Sequence, residues 1–444
     1  TITKLNGNVL FQKNDTIFRS DMAIQSNLHP IIDFYGNISI HQPNQVIYCD
    51  SLSYNSNTEF LSMAGNVKVE NSTRLISSDK ATLDQISNQL TIIDNCEVYE
   101  SEKYKIVGDK IILDFDNNQI KSINVLSDGI IFSQNDGYIK NNDKKRPIKN
   151  EDILKAQSIF AEMQNDQIEN IELVGMASTL IHLYNDSLYD GTNEISSDEI
   201  ILSIEMESAK KLISQGGAIG RYTPNESNEN IQEKIDYTAE RVEFQVENKV
   251  SQMFGTVKIF HDDIDLSAAH INVNWDTNIL EAFSENPFDI KELTKPVLIE
   301  NNREPMTGET MVYNIKSRKG KILKGESKLQ ENVFMGSQIT SVTDSTFYID
   351  DCIFTSCDPS KFYLGSKKVK IIYGDKVIAK PLSIFIGGVP IIGVPIAIFP
   401  HSSNDRRSGW IMPSFGSSDN RGNYLDGLGY YFAPNDYIGS ENSL

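Results

Sequence analysis

The chain has 444 residues, enough for a sizeable core and for two or three domains. Its formal charge of −20, from 41 basic against 61 acidic residues, argues against a nucleic-acid partner. With 23 % charged and 39 % apolar residues, it reads as a folded β protein and not as a disordered acidic tail.

Thr1 opens the chain without a basic stretch and apolar run behind it, so either a leader has been removed or the N-terminus lies upstream. A repeat follows at once. Asn8, Asn37, Asn66 and Asn95 stand 29 residues apart, and the first three follow Gly7, Gly36 and Gly65. Apolar residues come one and three places after each Asn: Val9 and Phe11, Ile38 and Ile40, Val67 and Val69, Cys96 and Val98. This alternation marks a strand with one buried face. Asp21, Asp50 and Asp79 keep the same 29-residue step, and Asp109 follows after 30. Each period thus reads as a few short strands joined by Gly/Asn/Asp turns. One such unit cannot cover its own apolar face, so neighbours must stack. The pattern alone leaves a β-helix and an open, stacked jelly roll as alternatives.

Beyond about residue 130 the period loosens. The polar stretch Asn135 to Asp152 reads as an inserted loop, and Thr223 to Glu233 as another loop or linker. β motifs return at Phe254 to Ile259 and Met311 to Ile315, and no segment holds a helical period. The run Leu382 to Pro400 carries no charge. Its glycines at 387, 388 and 393 and prolines at 390 and 395 exclude a spanning helix, so buried β-structure is expected. The domains expected are 1–135 (repeats), 136–155 (polar insertion), 156–400 (further repeat-like β-structure) and 401–444 (a different structure).

Catalytic chemistry is scarce. His261, Asp262, Asp263, Asp265 and His270 have ligand-like spacing in a strand, but a solvated strand and turn explains them more plainly. Asp114-Phe115-Asp116-Asn117 lacks the glycine and terminal glutamate of a calcium loop and reads as a turn. There is no nucleophile elbow, phosphate loop or Cys/His metal pattern, so no catalytic residue, metal or cofactor is expected. The nearest alternative of another class is a β-helical adhesin or a β-helical protein acting on polysaccharide. Four cysteines are too few for a disulfide scaffold. Cys96 fills an inward slot, and Cys49 beside Asp50 can be read either way.

The C-terminal blocks are more specific. Phe354 to Pro359, Val389-Pro390-Ile391, Arg406 to Pro413 and Tyr430 to Asn435 resemble, in order and spacing, the LPS-assembly outer-membrane protein (LptD) family. The 29-residue repeats resemble that family's periplasmic domain, shared with smaller periplasmic bridge proteins. The resemblance implies an all-β fold: a V-shaped stack of jelly-roll repeats leading into the first strands of a large transmembrane β-barrel, here cut short at Leu444. It implies a non-enzymatic protein of the outer membrane, with its N-terminal region in the periplasm. It would receive lipopolysaccharide from a periplasmic bridge protein docked on the N-terminal jelly roll. It would then insert the lipid into the outer leaflet through a barrel plugged by a lipoprotein. A soluble bridge protein of the same repeats is the nearest rival within that function.

Val9, Phe11, Ile38, Ile40, Val67, Val69 and Val98 would then line an acyl-chain groove. Pro413 and Gly429 would mark a lateral gate, where the family carries prolines; Gly429 departs from that pattern. Cys357 matches a family cysteine that pairs far downstream, and Cys352 is an additional thiol that could compete for the bond.

Overall fold

The computed structural model describes residues 2–443 except 27–28, 101–102, 117–118, 142–143, 166, 186, 206–207, 226–232, 287–288, 301–303, 330–331, 344, 356–361, 401–407, 412–413, 419–421 and 436. The described residues form strands and turns, without helix. No helix is long and apolar enough to cross a membrane, which says nothing of strands that cross in a barrel. The chain divides into two compact units, residues 1–234 with 241–248, and residues 235–240 with 249–444.

The first unit begins with β1 (Ile2–Lys13), β2 (Thr16–Ser26), β3 (Ile31–Gln42) and β4 (Gln45–Asn55). β5 (Phe60–Glu70), β6 (Arg74–Asp84), β7 (Gln89–Glu100) and β8 (Tyr104–Asp116) follow. Longer strands complete it: β9 (Gln119–Asn141), β10 (Lys144–Gln164), β11 (Gln167–Asn185), β12 (Leu188–Glu205) and β13 (Ser208–Pro224). Each pairs antiparallel with the next. A parallel β-helix is thereby excluded. One sequence period is two strands of eleven to thirteen residues, longer than the short strands expected.

The Gly-Asn landmark is a bulge in the middle of every second strand. In β3, Tyr35 pairs with Ser51 and Ile38 with Cys49, so Gly36 and Asn37 together face Asp50. Two residues against one is the β-bulge arrangement. Gly36 and Asn37 sit at φ 75° and 42°, Gly65 and Asn66 at 80° and 47°, Asp94 and Asn95 at 65° and 52°. Asparagine, aspartate and glycine are the residues that enter this left-handed region most readily. The aspartate landmark holds the bulge from the preceding strand. Asn37 Nδ2 donates to Asp21 Oδ2 at 2.7 Å, Asn66 to Asp50 at 2.8 Å and Asn95 to Asp79 at 2.7 Å.

The bulge folds each strand back on itself. Phe34 and Ile40 lie on either side of the β3 bulge, about 20 Å apart in an unbroken strand. Yet Phe18, the ladder partner of Ile40, stacks its ring on Phe34 with centroids 5.6 Å apart. Phe11 and Tyr54 join this cluster from opposite sides of the bulge column, 6.4 Å from each other. The sheet of the first unit is therefore rolled into two leaves, with inward side chains between them, and matches the jelly-roll architecture expected.

The bulge persists where the sequence period fades. Ser127 and Asp128 in β9, Gly175 and Met176 in β11, and Gly216 and Gly217 in β13 all have positive φ. The stretch Asn135 to Asp152, expected as an inserted loop, instead forms the far end of the β9–β10 hairpin, with Asn135 opposite Asn150 and Tyr138 opposite Pro147. Its polarity reflects a hairpin that continues past the rolled core. Of the second expected loop, Thr223 and Pro224 end β13, and residues 226–232 lie outside the described ones.

The second unit starts in β14 (Ile235–Gln245), and β15 (Val250–His261) pairs with β16 (Ile264–Asn274). The same bulge recurs in β15 at Gly255–Thr256. Antiparallel pairing continues from Lys319–Leu329 through successive neighbours to Lys376–Ile386 and Val389–Val394. The run after Leu382, expected in the core, is largely exposed: Val389, Pro390, Ile391 and Ile392 all face solvent. Lack of charge made it look buried, but among the described residues only Ala397 and Phe399 in its second half are. After residue 408 the strands are short. Gly409–Ile411 pairs with Gly429–Phe432, and that with Ser440–Ser443.

A Cβ at Gly65 would sit 2.5 Å from the Asp50 carboxylate, whereas one at Gly7 would meet nothing within 4 Å. Gly7→Ala should therefore cost about 1 kcal/mol from its φ alone, and Gly65→Ala about 2–4 kcal/mol. Urea unfolding of the two variants compares them; equal losses would mean that the aspartate does not hold the bulge.

Candidate functional site

The interior between the leaves of the first unit is the concave feature on which the sequence reading converged. Alternation sends every second side chain inward, and the bulge keeps this phase on both sides of the fold. Val9, Ile38, Ile40, Val67, Val69 and Val98 are all buried, between 0 and 8 % exposed. Phe11 is half-buried, its ring 5.4 Å from Phe18 and 6.1 Å from Phe34. The residues occupy successive bulged strands, so they make one continuous apolar stripe.

The opposing leaf was not anticipated residue by residue. Leu61, Leu83, Leu90, Ile92 and Leu113 cover the stripe from strand halves that lack a Gly-Asn landmark. Their signal was available in the plain two-residue alternation of β5 to β8.

Opposite the bulges, where the hairpin turns lie, the leaves part into a cavity of about 160 Å³. Gln42, Asn44, Gln45 and Asn71 line it from one leaf, and Gln85 and Asn88 from the other. Ile47, Val69, Leu83, Leu90 and Phe115 form its floor. The mouth is thus built of uncharged amides over an apolar floor. Such a rim offers hydrogen bonds without net charge around an apolar floor.

Charge inside the roll is cancelled locally. Arg74 and Glu100 pair across β6 and β7, Nε to Oε2 at 2.5 Å, with both side chains buried. The Arg74 guanidinium lies 5.5 Å from the Phe115 ring centre, behind the cavity floor. At the β1 end, Lys13 reaches across the rim: its Nζ donates to Tyr54 Oη at 2.7 Å and to Glu59 Oε1 at 3.0 Å. The Tyr54 hydroxyl, then Glu59, raise its ammonium pKa.

The other candidates separate into structural roles. Asp262 and Asp263 both pair with Arg318, and His270 stacks between Phe254 and Phe283 at 4.6 and 5.2 Å. Burial lowers the His270 pKa and keeps the ring neutral. Among the described residues no three metal-ligating side chains converge. Asp114 accepts hydrogen bonds from Gln89 and Ser122, an arrangement of strand side chains and not a cation loop. Asp152 accepts from the backbone and ring nitrogens of His182, at 2.8 and 2.9 Å, and from Asn135, tying the ends of the long hairpins together.

Cys49, Cys96 and Cys352 are buried free thiols, and burial pushes Cys352 up to about 12, far from reactive. Cys357 and Pro413 lie outside the described residues. Gly429 is buried between Ile411 and Ser443, where a Cβ would run into the Asn442 carbonyl.

Family models match at both ends of the chain. Residues 2–107 match the model of the OstA-like protein family, and residues 377–443 that of the LptD protein family. Among solved structures, the chain is similar to LptH of Pseudomonas aeruginosa, described as the LptA-homologous periplasmic component of the lipopolysaccharide transport device. The identity is 13 %, the TM-score 0.23, and the match covers 29 % of this chain and 80 % of that one. The comparison with curated proteins finds no match.

Removing one partner of the buried pair leaves an uncompensated charge. Glu100→Gln should cost about 3–5 kcal/mol in urea unfolding, while the double change to R74M/E100L should come close to wild type. A double variant as unstable as the single one would show that the interior needs the charges themselves.

Proposed function

We propose that this LptD-like chain, with its OstA-type repeats, works in lipopolysaccharide transport, the rolled repeats sheltering acyl chains on their way to the outer membrane. The observation that carries the reading is the continuous apolar interior with an amide-lined mouth at its open rim. Each methylene moved from water into such an interior gains about 0.8 kcal/mol, so a bare acyl chain in an aqueous compartment seeks it. The amides at the mouth let the charged headgroup stay outside. The function needs no catalytic group and no cofactor.

In this reading the N-terminal region lies in the periplasm and receives lipid from a bridge protein. β1 suits that contact. Its ladder partner is β2, and Ile2, Leu5 and Leu10 are exposed on it, which leaves an apolar strand to extend by edge pairing. The C-terminal segment would begin an outer-membrane barrel plugged by a lipoprotein. Pro413 and Gly429 would sit at its lateral gate, where lipid leaves for the outer leaflet. Proline there removes a ladder donor, and glycine keeps it but admits no side chain between its neighbours.

Photo-crosslinking in the source cell tests the groove. A reactive residue placed at Val69, on the cavity floor, should capture lipopolysaccharide, as should one at Ile40; at the outward-facing Lys68 it should not. Silence at Val69, Ile40 and Val98 in a folded protein, or equal capture at Lys68, would reduce the repeats to a scaffold.

A further inference from the structure

In the second unit, strand Lys376–Ile386 turns through Gly387 and Gly388, at φ 56° and 79°, into Val389–Val394. A two-residue turn with both φ positive is the tight hairpin form that glycine admits. Ile386 pairs with Val389 and Leu382 with Val394. Val389, Ile391 and Ile392 are 58, 56 and 61 % exposed. Val389 and Ile392 share one face, opposite Ile386 and Ile384, Pro390 takes the other, and Ile391 is the extra residue of a bulge between them, so apolar residues stand bare on both faces. A strand that covers a protein core is apolar on one face. A second copy or a protein groove seated on one face would leave the other wet, whereas an apolar medium covers both.

The base of the hairpin carries the opposite chemistry. Lys367, Lys368 and Lys380 lie at this base in a chain of net charge −20, while Lys370 and Lys376 sit further down the ladder, at the level of Ile378 and Ile372. Lys368 and Lys380 face each other across the ladder, just before Leu382, and both are exposed. Lys368 has the Asp350 carboxylate only at 3.8 Å, and Lys376 has Asp375 at 3.2 Å. A basic collar under a two-sided apolar tip complements an anionic membrane surface, where each lysine contributes about 1 kcal/mol.

We propose that the hairpin Leu382–Val394 is a membrane wedge, its tip in the headgroup–acyl boundary of an anionic bilayer and its lysine collar on the lipid phosphates. From Leu382 to Ile386 the strand reaches about 13 Å, enough for this boundary and too little to span. The edge of Val389–Val394 that has no ladder partner among the described residues sets the depth, because unpaired backbone groups are not tolerated deep in hydrocarbon. Pro390 removes one such N–H. The wedge stands on the hairpin alone and can fail or hold whatever the repeats carry.

The test is flotation of the 444-residue chain with vesicles of phosphatidylglycerol and phosphatidylcholine, and with phosphatidylcholine alone. The wild type should float with the anionic vesicles, and I391D/I392D should stay behind with an unchanged unfolding midpoint. K368E/K380E should bind anionic vesicles about tenfold more weakly or worse. The V389W chain should show tryptophan emission quenched by lipids brominated on their acyl chains. A wild type that does not float, an I391D/I392D chain that floats equally, or a V389W chain untouched by the bromines would each overturn the proposal. So would a dimer, in place of vesicle binding, that I391D/I392D abolishes, since a second copy would then cover the face.

Discussion

The fold of the first unit hangs on one small interaction, an aspartate carboxylate on one strand accepting from an asparagine in a left-handed bulge of the next. Each such hydrogen bond is exposed and contributes only about 0.5–1.5 kcal/mol. Its consequence is larger than its energy. It fixes where every second strand doubles back, so the column of bulges becomes a spine and the strand halves become two facing leaves. Without the spine the sheet would present its apolar stripe to water. With it, Phe34 meets Phe18, and an interior exists.

The spine was legible as a period, because β1 to β8 keep nearly constant length and a 29-residue step preserves both landmarks. It became illegible after β8 for two physical reasons. The strands β9 to β13 grow to between 17 and 23 residues, which shifts every later landmark. The left-handed pair also tolerates several residues, so Ser127–Asp128, Gly175–Met176 and Gly216–Gly217 carry it without spelling Gly-Asn. The inward stripe could be read from alternation, but the amide mouth could not. Gln42, Asn71, Gln85 and Asn88 come together only once the leaves face each other, and turn residues are polar in any β protein.

The way the leaves are joined bears on how such an interior could be filled. Backbone hydrogen bonds at the turns run along each leaf, as from Ser56 to Pro30, Gln85 to Glu59 and Gln134 to Lys103. Across the rim at the β1 end, Lys13 makes the link with its side chain. Parting the leaves at the rim therefore costs side-chain packing and not ladder bonds, and a ligand of apolar chains replaces the packing it displaces. The interior also repeats itself from strand to strand, with the Arg74–Glu100 pair neutral as a whole. An acyl chain would find no deep well along it, which suits passage better than storage.

Apolarity occurs in this chain in two kinds. In the repeats it occupies every second position, and the polar positions between mark which side faces water. In Ile384 to Ile398 it occupies both sides, and reading it as core failed because absence of charge does not say what surrounds a strand. Strand Lys376–Ile386 has ladder neighbours on both edges, one of which stacks Tyr363 on Phe385 at 4.6 Å. Strand Val389–Val394 gains no second neighbour among the described residues. An acidic protein that sets Lys367, Lys368 and Lys380 beneath an apolar hairpin has separated its charge along that element, basic at the base and neutral at the tip. Water imposes no reason for that order; the surface of an anionic bilayer, phosphate outside and hydrocarbon within, has the same order in reverse complement.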